Sequence, residues 1–218
     1  IDRLRLAATA ALMSRRDVII VSSVSCIYGL GMALEDYKAM HIILNKGDTV
    51  SRERLISRLV EMQYQRTRAR VEKSTFRVMG GVIELQPPGE DLNLRIELDG
   101  DKVDRLSLVD SVTGNVLKNK EMIYIYPARH FATPPEKIEE ALGTIATELE
   151  EKLAVLNKEN KIVEAYRLAT RTNHDIEMIR ETGFCGGIEN YSRHFTGRKP
   201  GQPPYTLMDY FPKDYLLI

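Results

Sequence analysis

The hydrophobic period of this chain switches from helical to alternating and back again, and that double switch limits the folds open to it. Leu4, Leu6, Ala8, Leu12 and Met13 lie in an opening stretch free of Gly and Pro, which predicts a helix ending near Arg15-Arg16. Asp17 then introduces Val18-Ile19-Ile20-Val21, a short continuous apolar run of the kind buried in a parallel sheet. Polar loops after such a strand are where α/β proteins usually hold ligands, and Ser22, Ser23, Ser25 and Tyr28 stand there. Satisfying backbone groups at the strand end is the equally plain use of those hydroxyls.

The middle of the chain, residues 37–127, reads as a second unit. Ser51 is a candidate N-cap for a helix carrying Leu55, Leu59 and Met62 on one face. From Thr75 the period becomes two. Phe76 and Val78 face one way and Arg77 the other, and Gly80-Gly81 supplies a two-residue hairpin turn into Val82-Ile83-Glu84-Leu85. Leu94, Ile96 and Leu98 alternate with Asn93, Arg95 and Glu97. Turns at Asp99-Gly100-Asp101 and Thr113-Gly114-Asn115 lead into Val103–Leu106 and Met122–Tyr126. The expected result is an antiparallel meander with one buried and one polar face, backed by the preceding helix.

Helical periodicity returns from Pro134. Ile138, Leu142, Ile145, Leu149, Leu153 and Leu156 form one stripe, and Ile162, Tyr166, Ala169 and Ile176 resume it after a break at residues 157–160. Two antiparallel helices with a short connection follow, ending before Gly183. The close, Tyr215-Leu216-Leu217-Ile218, reads as the start of another buried strand. The fold class is therefore mixed: an α+β meander with a helix, inserted between parts of a helical α/β domain, with segments at 1–36, 37–127 and 128–218.

Lys+Arg and Asp+Glu are both 31, and this balance excludes nucleic-acid binding by bulk charge. Any such contact must come from local patches. Two cysteines, Cys26 and Cys185, are too few for a zinc site and read as buried structural thiols, and the four histidines are scattered, so no metal site is expected. With no long apolar run and no signal peptide before the first helix, the expected compartment is cytoplasmic and no membrane partner is expected. No phosphate loop of the G-x-x-x-x-G-K-[ST] type is legible, since Gly29-Leu30-Gly31 is not followed by Lys-Ser or Lys-Thr, and neither a ligand cluster nor a nucleophile with its base stands out. No catalytic residue and no cofactor of the chain's own is therefore expected, which leaves a binding module. Arg77 and Glu97 alternate with core positions and should share the polar face, where a merely solvated mixed-charge surface is the competing reading.

The densest run of polar and special residues is Gly183-Phe184-Cys185-Gly186-Gly187-Ile188-Glu189-Asn190-Tyr191-Ser192-Arg193-His194, between the long helices and a Gly/Pro loop. It resembles the GFCSGIENYSRH signature of the UvrB family of DNA-repair proteins. The stretches Ile1–Arg5 through Arg16–Ile20, Ser22–Gly31 and Leu207–Ile218 resemble the same family in the same order. The resemblance implies an internal part of a nucleotide excision repair protein of the DNA-damage (SOS) response, containing an interaction domain and the helical part of a helicase-like first motor domain. It implies that the nucleotide loop and the damage-probing hairpin precede Ile1 and that an acidic magnesium motif follows Ile218, so that ATP and Mg2+ serve the parent excinuclease subunit rather than this chain.

The family's interaction domain docks the partner ATPase UvrA through charged residues, and by motif position these fall on Arg66, Arg77 and Glu97. Family members usually carry Arg-Gly-Asp where this chain has Met79-Gly80-Gly81, which removes one charge from that face. The resemblance also sets Arg171 and Glu189 near the DNA path. Arg171 suits phosphate and Tyr191 suits base stacking, with Arg193 and His194 beside them. An internal network pairing Glu189 with Arg171 or Arg193 is the alternative for these residues. Weak DNA binding by this chain alone is expected, with UvrC a partner only through the parent. A stand-alone scaffold or transcription-repair-coupling type of module is the alternative to the whole reading.

Overall fold

A computed structural model describes residues 2–27, 29, 31–133 and 135–218. Ile1, Tyr28, Leu30 and Pro134, which carried parts of the sequence reading, lie outside the described residues. The chain runs α1 (Asp2–Ser14), α2 (Leu34–Met40), β1 (Ile42–Asn45), α3 (Arg52–Glu61), β2 (Gln65–Arg66), β3 (Thr75–Met79), β4 (Val82–Gln86), β5 (Leu92–Asp99), β6 (Lys102–Asp110), β7 (Val116–Lys120), β8 (Met122–Ile125), α4 (Pro135–Lys158), α5 (Ile162–Thr182) and the single turn α6 (Ser192–Phe195).

Strands β2 to β7 form a six-stranded sheet in sequence order, antiparallel except for the parallel β2–β3 pair. The hairpin expected at Gly80-Gly81 is present, with Gly80 at φ 57°, where a side chain is disfavoured. Ser51 caps α3 as its sequence suggests, its hydroxyl accepting the Arg54 N–H. Leu55, Leu59 and Met62 then lie on the inner face of the sheet with Phe76, Ile83, Leu85, Ile96 and Leu106, every one of them essentially without solvent exposure. Alternation puts these apolar residues on one side only, so the remaining residues of β3–β6 form a separate outer face.

Met122–Ile125 is not a further strand of the meander. It pairs antiparallel with β1 in a separate two-stranded sheet, Ile42 opposite Ile125 and Leu44 opposite Ile123. The run Ile42–Asn45 is short and lies far away in sequence, so local pattern gave it no partner.

Helices α4 and α5 form the expected antiparallel pair, closing with α6 around Ala141, Leu142, Ile145, Ile179, Cys185, Ile188 and Phe195. The buried face of α5 differs from the apolar stripe read in the sequence. Ile162 and Tyr166 are exposed, whereas Ala165, Thr172, Asp175 and Ile179 point inward. Two polar residues take core-facing positions there because the loop after the helix supplies their hydrogen bonds.

The two apolar runs at the flanks are also corrected. Neither Val18–Val21 nor Tyr215–Ile218 forms a strand, and Ile19, Val21 and Leu216 are more than four-fifths exposed. Each run has no ladder neighbour among the described residues, and an extended segment without one cannot bury its backbone groups. Cys185 is buried as expected, but Cys26 is only half-buried.

Candidate functional site

The outer face of the main sheet carries a transverse row that follows from strand register. Arg77 in β3 stands opposite Glu84 in β4, Glu84 opposite Arg95 in β5, Arg95 opposite Ser107 in β6, and Ser107 opposite Asn119 in β7. The Glu84 carboxylate is nearly solvent-free and serves several donors at once. Arg95 Nη2 and Nε reach its Oε2 at 3.1 and 3.3 Å, Asn93 Nδ2 donates to Oε1 at 2.7 Å, and Arg77 Nη2 lies 3.8 Å from Oε2. Both arginine side chains keep roughly a quarter of their surface in water, 29% for Arg77 and 22% for Arg95. Arg77 Nε is buried and makes no hydrogen bond.

The next row pairs Met79 with Val82, Val82 with Glu97 and Glu97 with Arg105. Glu97 accepts a long ion pair from Arg105 at 3.9 Å, and Met79 is half-exposed. Arg77 and Glu97 therefore emerge on one surface, as their alternation predicts. Arg66 does not join them. Its partner in the parallel pair is Phe76, so the register turns it to the opposite side of the sheet, on an exposed edge of two residues.

Glu84 and Arg95 were not singled out by the sequence reading, although a signal existed. In a hairpin turning on Gly80-Gly81, residues equidistant from the turn are partners, which makes Arg77 and Glu84 a pair.

The second cluster surrounds the loop after α5. Gly183 ends that helix in the left-handed conformation at φ 71°, its N–H returning to Ile179 O, and Gly187 turns the chain again at φ 84°. This folding brings Tyr191 back over α5, where its hydroxyl donates to Asp175 Oδ2 at 2.7 Å while Arg171, one turn earlier, lies 3.8 Å from the same oxygen. Burial first, and then the bond to Asp175, push the Tyr191 phenol up to about 12. Burial, with Asp175 and Glu189 adding to it, raises the Cys185 thiol to about 11. Arg193 and His194 both meet Glu148 of α4, His194 Nε2 at 2.7 Å, and His194 Nδ1 also contacts the Thr144 hydroxyl at 2.9 Å. Burial, followed by Arg193, holds the His194 imidazole below its ordinary range against the opposing pull of Glu148.

The internal network weighed from sequence thus exists with different acids: Asp175 serves Arg171 and Glu148 serves Arg193, while Glu189 points to solvent. Among the described residues no group of three His, Cys, Asp or Glu side chains could hold a metal ion, and no helix is long and apolar enough to cross a membrane.

Comparison with known proteins falls on both clusters. A profile of the UvrB interaction domain matches residues 42–131, and one of the UvrB third helical domain matches residues 136–197. Over its full length the chain is 50% identical to UvrABC system protein B of Dehalococcoides mccartyi, 52% to that of Carboxydothermus hydrogenoformans and 48% to that of Bacillus subtilis. The chain belongs to the UvrB family. It spans 33% of the length of each of these relatives. Arg77, Glu84, Arg95 and Glu97 fall in the part matched as the UvrB interaction domain, and Arg171 to His194 in the part matched as the UvrB third helical domain.

Proposed function

We propose that this chain is the protein-docking part of a nucleotide excision repair component, and that it grips UvrA through the outer face of its β-sheet. The observation that carries the reading is the shared placement of Arg77 and Glu97 on one part-exposed face within the UvrB interaction domain match. A planar guanidinium that keeps part of its side chain in water suits a partner carboxylate, and a neighbouring part-exposed carboxylate suits a partner cation, so the face is complementary to a mixed-charge surface rather than to an apolar one. Arg66, turned to the other side, lies at most at the rim of this footprint.

The loop cluster supports only a small share in DNA contact. Arg193 is engaged by Glu148, whereas Arg171 keeps 69% of its side-chain surface exposed and remains the residue best able to meet a phosphate. Weak DNA binding by this chain alone follows on this reading. A stand-alone scaffold would need the interaction module alone, yet full-length identity to UvrB-family proteins extends through the helical pair and its loop.

Calorimetric titration with a bacterial UvrA tests the docking. Arg77→Ala leaves Glu84 paired with the closer Arg95 and Glu97→Ala removes a part-exposed carboxylate held only by a 3.9 Å ion pair, so both variants should fold, and each should bind UvrA more weakly by roughly 1–3 kcal/mol. Unchanged affinity in both variants would remove the outer face from the interface.

A further inference from the structure

The Arg77–Glu84–Arg95 row of the outer face holds two arginines for one acid, and the acid is the part of the row that water does not reach. Side-chain exposure is 5% for Glu84 against 29% and 22% for Arg77 and Arg95. A carboxylate this enclosed contacts nothing outside the molecule. It therefore acts on any partner only through the two cations that it holds.

We infer that Glu84 is a positioning residue of the docking face, fixing the guanidiniums of Arg77 and Arg95 as a preorganised cationic pair for an acidic side chain of the partner. This inference rests on the docking reading above and adds the residue that gives the face its shape. The hydrogen bonds show how the holding works. Asn93, itself buried, anchors Oε1 and leaves Oε2 directed at both arginines. Arg95 is further fixed by donating to Gly114 O at 3.3 Å, whereas Arg77 has only the 3.8 Å approach to Glu84 and carries the buried Nε without an acceptor. Arg77 is thus placed but not satisfied.

Two effects of removing the Glu84 charge oppose each other. The face becomes more positive by one charge, which raises long-range attraction for an acidic partner. That attraction is screened over about 10 Å at ordinary ionic strength. Against it, two like charges now face each other without their counter-ion, and both have a path to solvent, so both leave the bound geometry and must be reordered when the partner arrives. Each rotamer-rich side chain immobilised at an interface opposes binding, and with two arginines released the loss of preorganisation outweighs the screened gain.

The test is a binding cycle with bacterial UvrA on the full chain. Glu84→Gln keeps the side-chain length and an oxygen for Asn93, and it should bind UvrA about tenfold more weakly. Introduced into an Arg77→Ala/Arg95→Ala background, the same change should shift affinity by less than about twofold, because Glu84 then has nothing left to position. An amide spectrum and a thermal midpoint for each variant separate misfolding from lost positioning. Where Gln does not support the fold, Glu84→Asp, which keeps the charge but withdraws it by one methylene, enters the same comparison with a smaller loss expected. Affinity of Glu84→Gln equal to the parent chain, or a loss that persists undiminished without the two arginines, overturns the inference and leaves the docking face standing. If Arg77→Ala and Glu97→Ala both bind UvrA normally, it is the docking reading that fails.

Discussion

Replacing Tyr191 with Phe removes one oxygen and nothing else, and the structure makes the consequence calculable. The Tyr191 hydroxyl donates to Asp175 at 2.7 Å, and the Asp175 side chain is only 10% exposed. A hydrogen bond to a charged acceptor contributes about 1.5–3 kcal/mol, and its loss leaves the carboxylate with a single long pair to Arg171. Phe fills the same space, so no cavity adds to the cost. Arg171→Ala removes the other partner of the same acid, but that arginine is 69% exposed and one turn away on the same helix, a geometry contributing about 0.3–0.5 kcal/mol at most. Tyr191→Phe should therefore cost at least about 1 kcal/mol more than Arg171→Ala, even though the arginine carries the formal charge. For a chain of this size the difference is a drop of roughly 2–4 °C or more in thermal midpoint. Urea and thermal unfolding of the two variants give the comparison. Equal midpoints, or a greater loss for Arg171→Ala, would show that the phenol does not hold the loop to α5. DNA affinity supplies an independent reading, because Phe keeps the ring and should bind single strands as Tyr does.

The two thiols should respond differently to alkylation: at pH 8 iodoacetamide should label half-buried Cys26 while buried Cys185 stays protected until the chain is denatured, as peptide mass mapping would show. Because the folded state holds the Cys185 proton up to about pH 11 against an ordinary 9.0, stability is independent of this group below pH 9 and falls as pH rises between those values; a denaturation midpoint flat from pH 8.5 to 10.5 would contradict the burial. Met79→Arg places a cation in the row that contains Glu97 and, on the proposed docking, should tighten UvrA binding by about threefold to tenfold, with weaker binding in titration counting against a docking role for that row.

What the sequence disclosed tracks how local the cause is. The hairpin at Gly80-Gly81, the Ser51 cap and the Gly183 helix end each depend on a few adjacent residues, and each is present. The sharing of one face by Arg77 and Glu97 also followed, because alternation is a two-residue rule. Pairing of β1 with β8 joins strands separated by the whole meander and left no trace in either segment. The inward turn of Thr172 and Asp175 was hidden for another reason. Apolar periodicity skips polar residues, and only the return of Tyr191 over α5 makes their burial tolerable. Glu84 was overlooked because a carboxylate on the solvent side of a strand is ordinarily hydrated, and its enclosure arises only when Arg77, Asn93 and Arg95 converge on it. Asp175 was within reach of helical spacing, one turn after Arg171.

The apolar runs at Val18–Val21 and Leu216–Ile218, which leave Ile19, Val21 and Leu216 in water while Ile20 packs partly on the core, bear on how the molecule behaves in a tube. Side chains such as Ile19 and Leu216 are largely exposed, while the extended backbone beside them belongs to no sheet among the described residues and can pair with a neighbouring molecule. Concentrated solutions should therefore turn cloudy through strand-to-strand adhesion well below the temperature at which the cores melt, and two or three lysines substituted into each run should keep them clear.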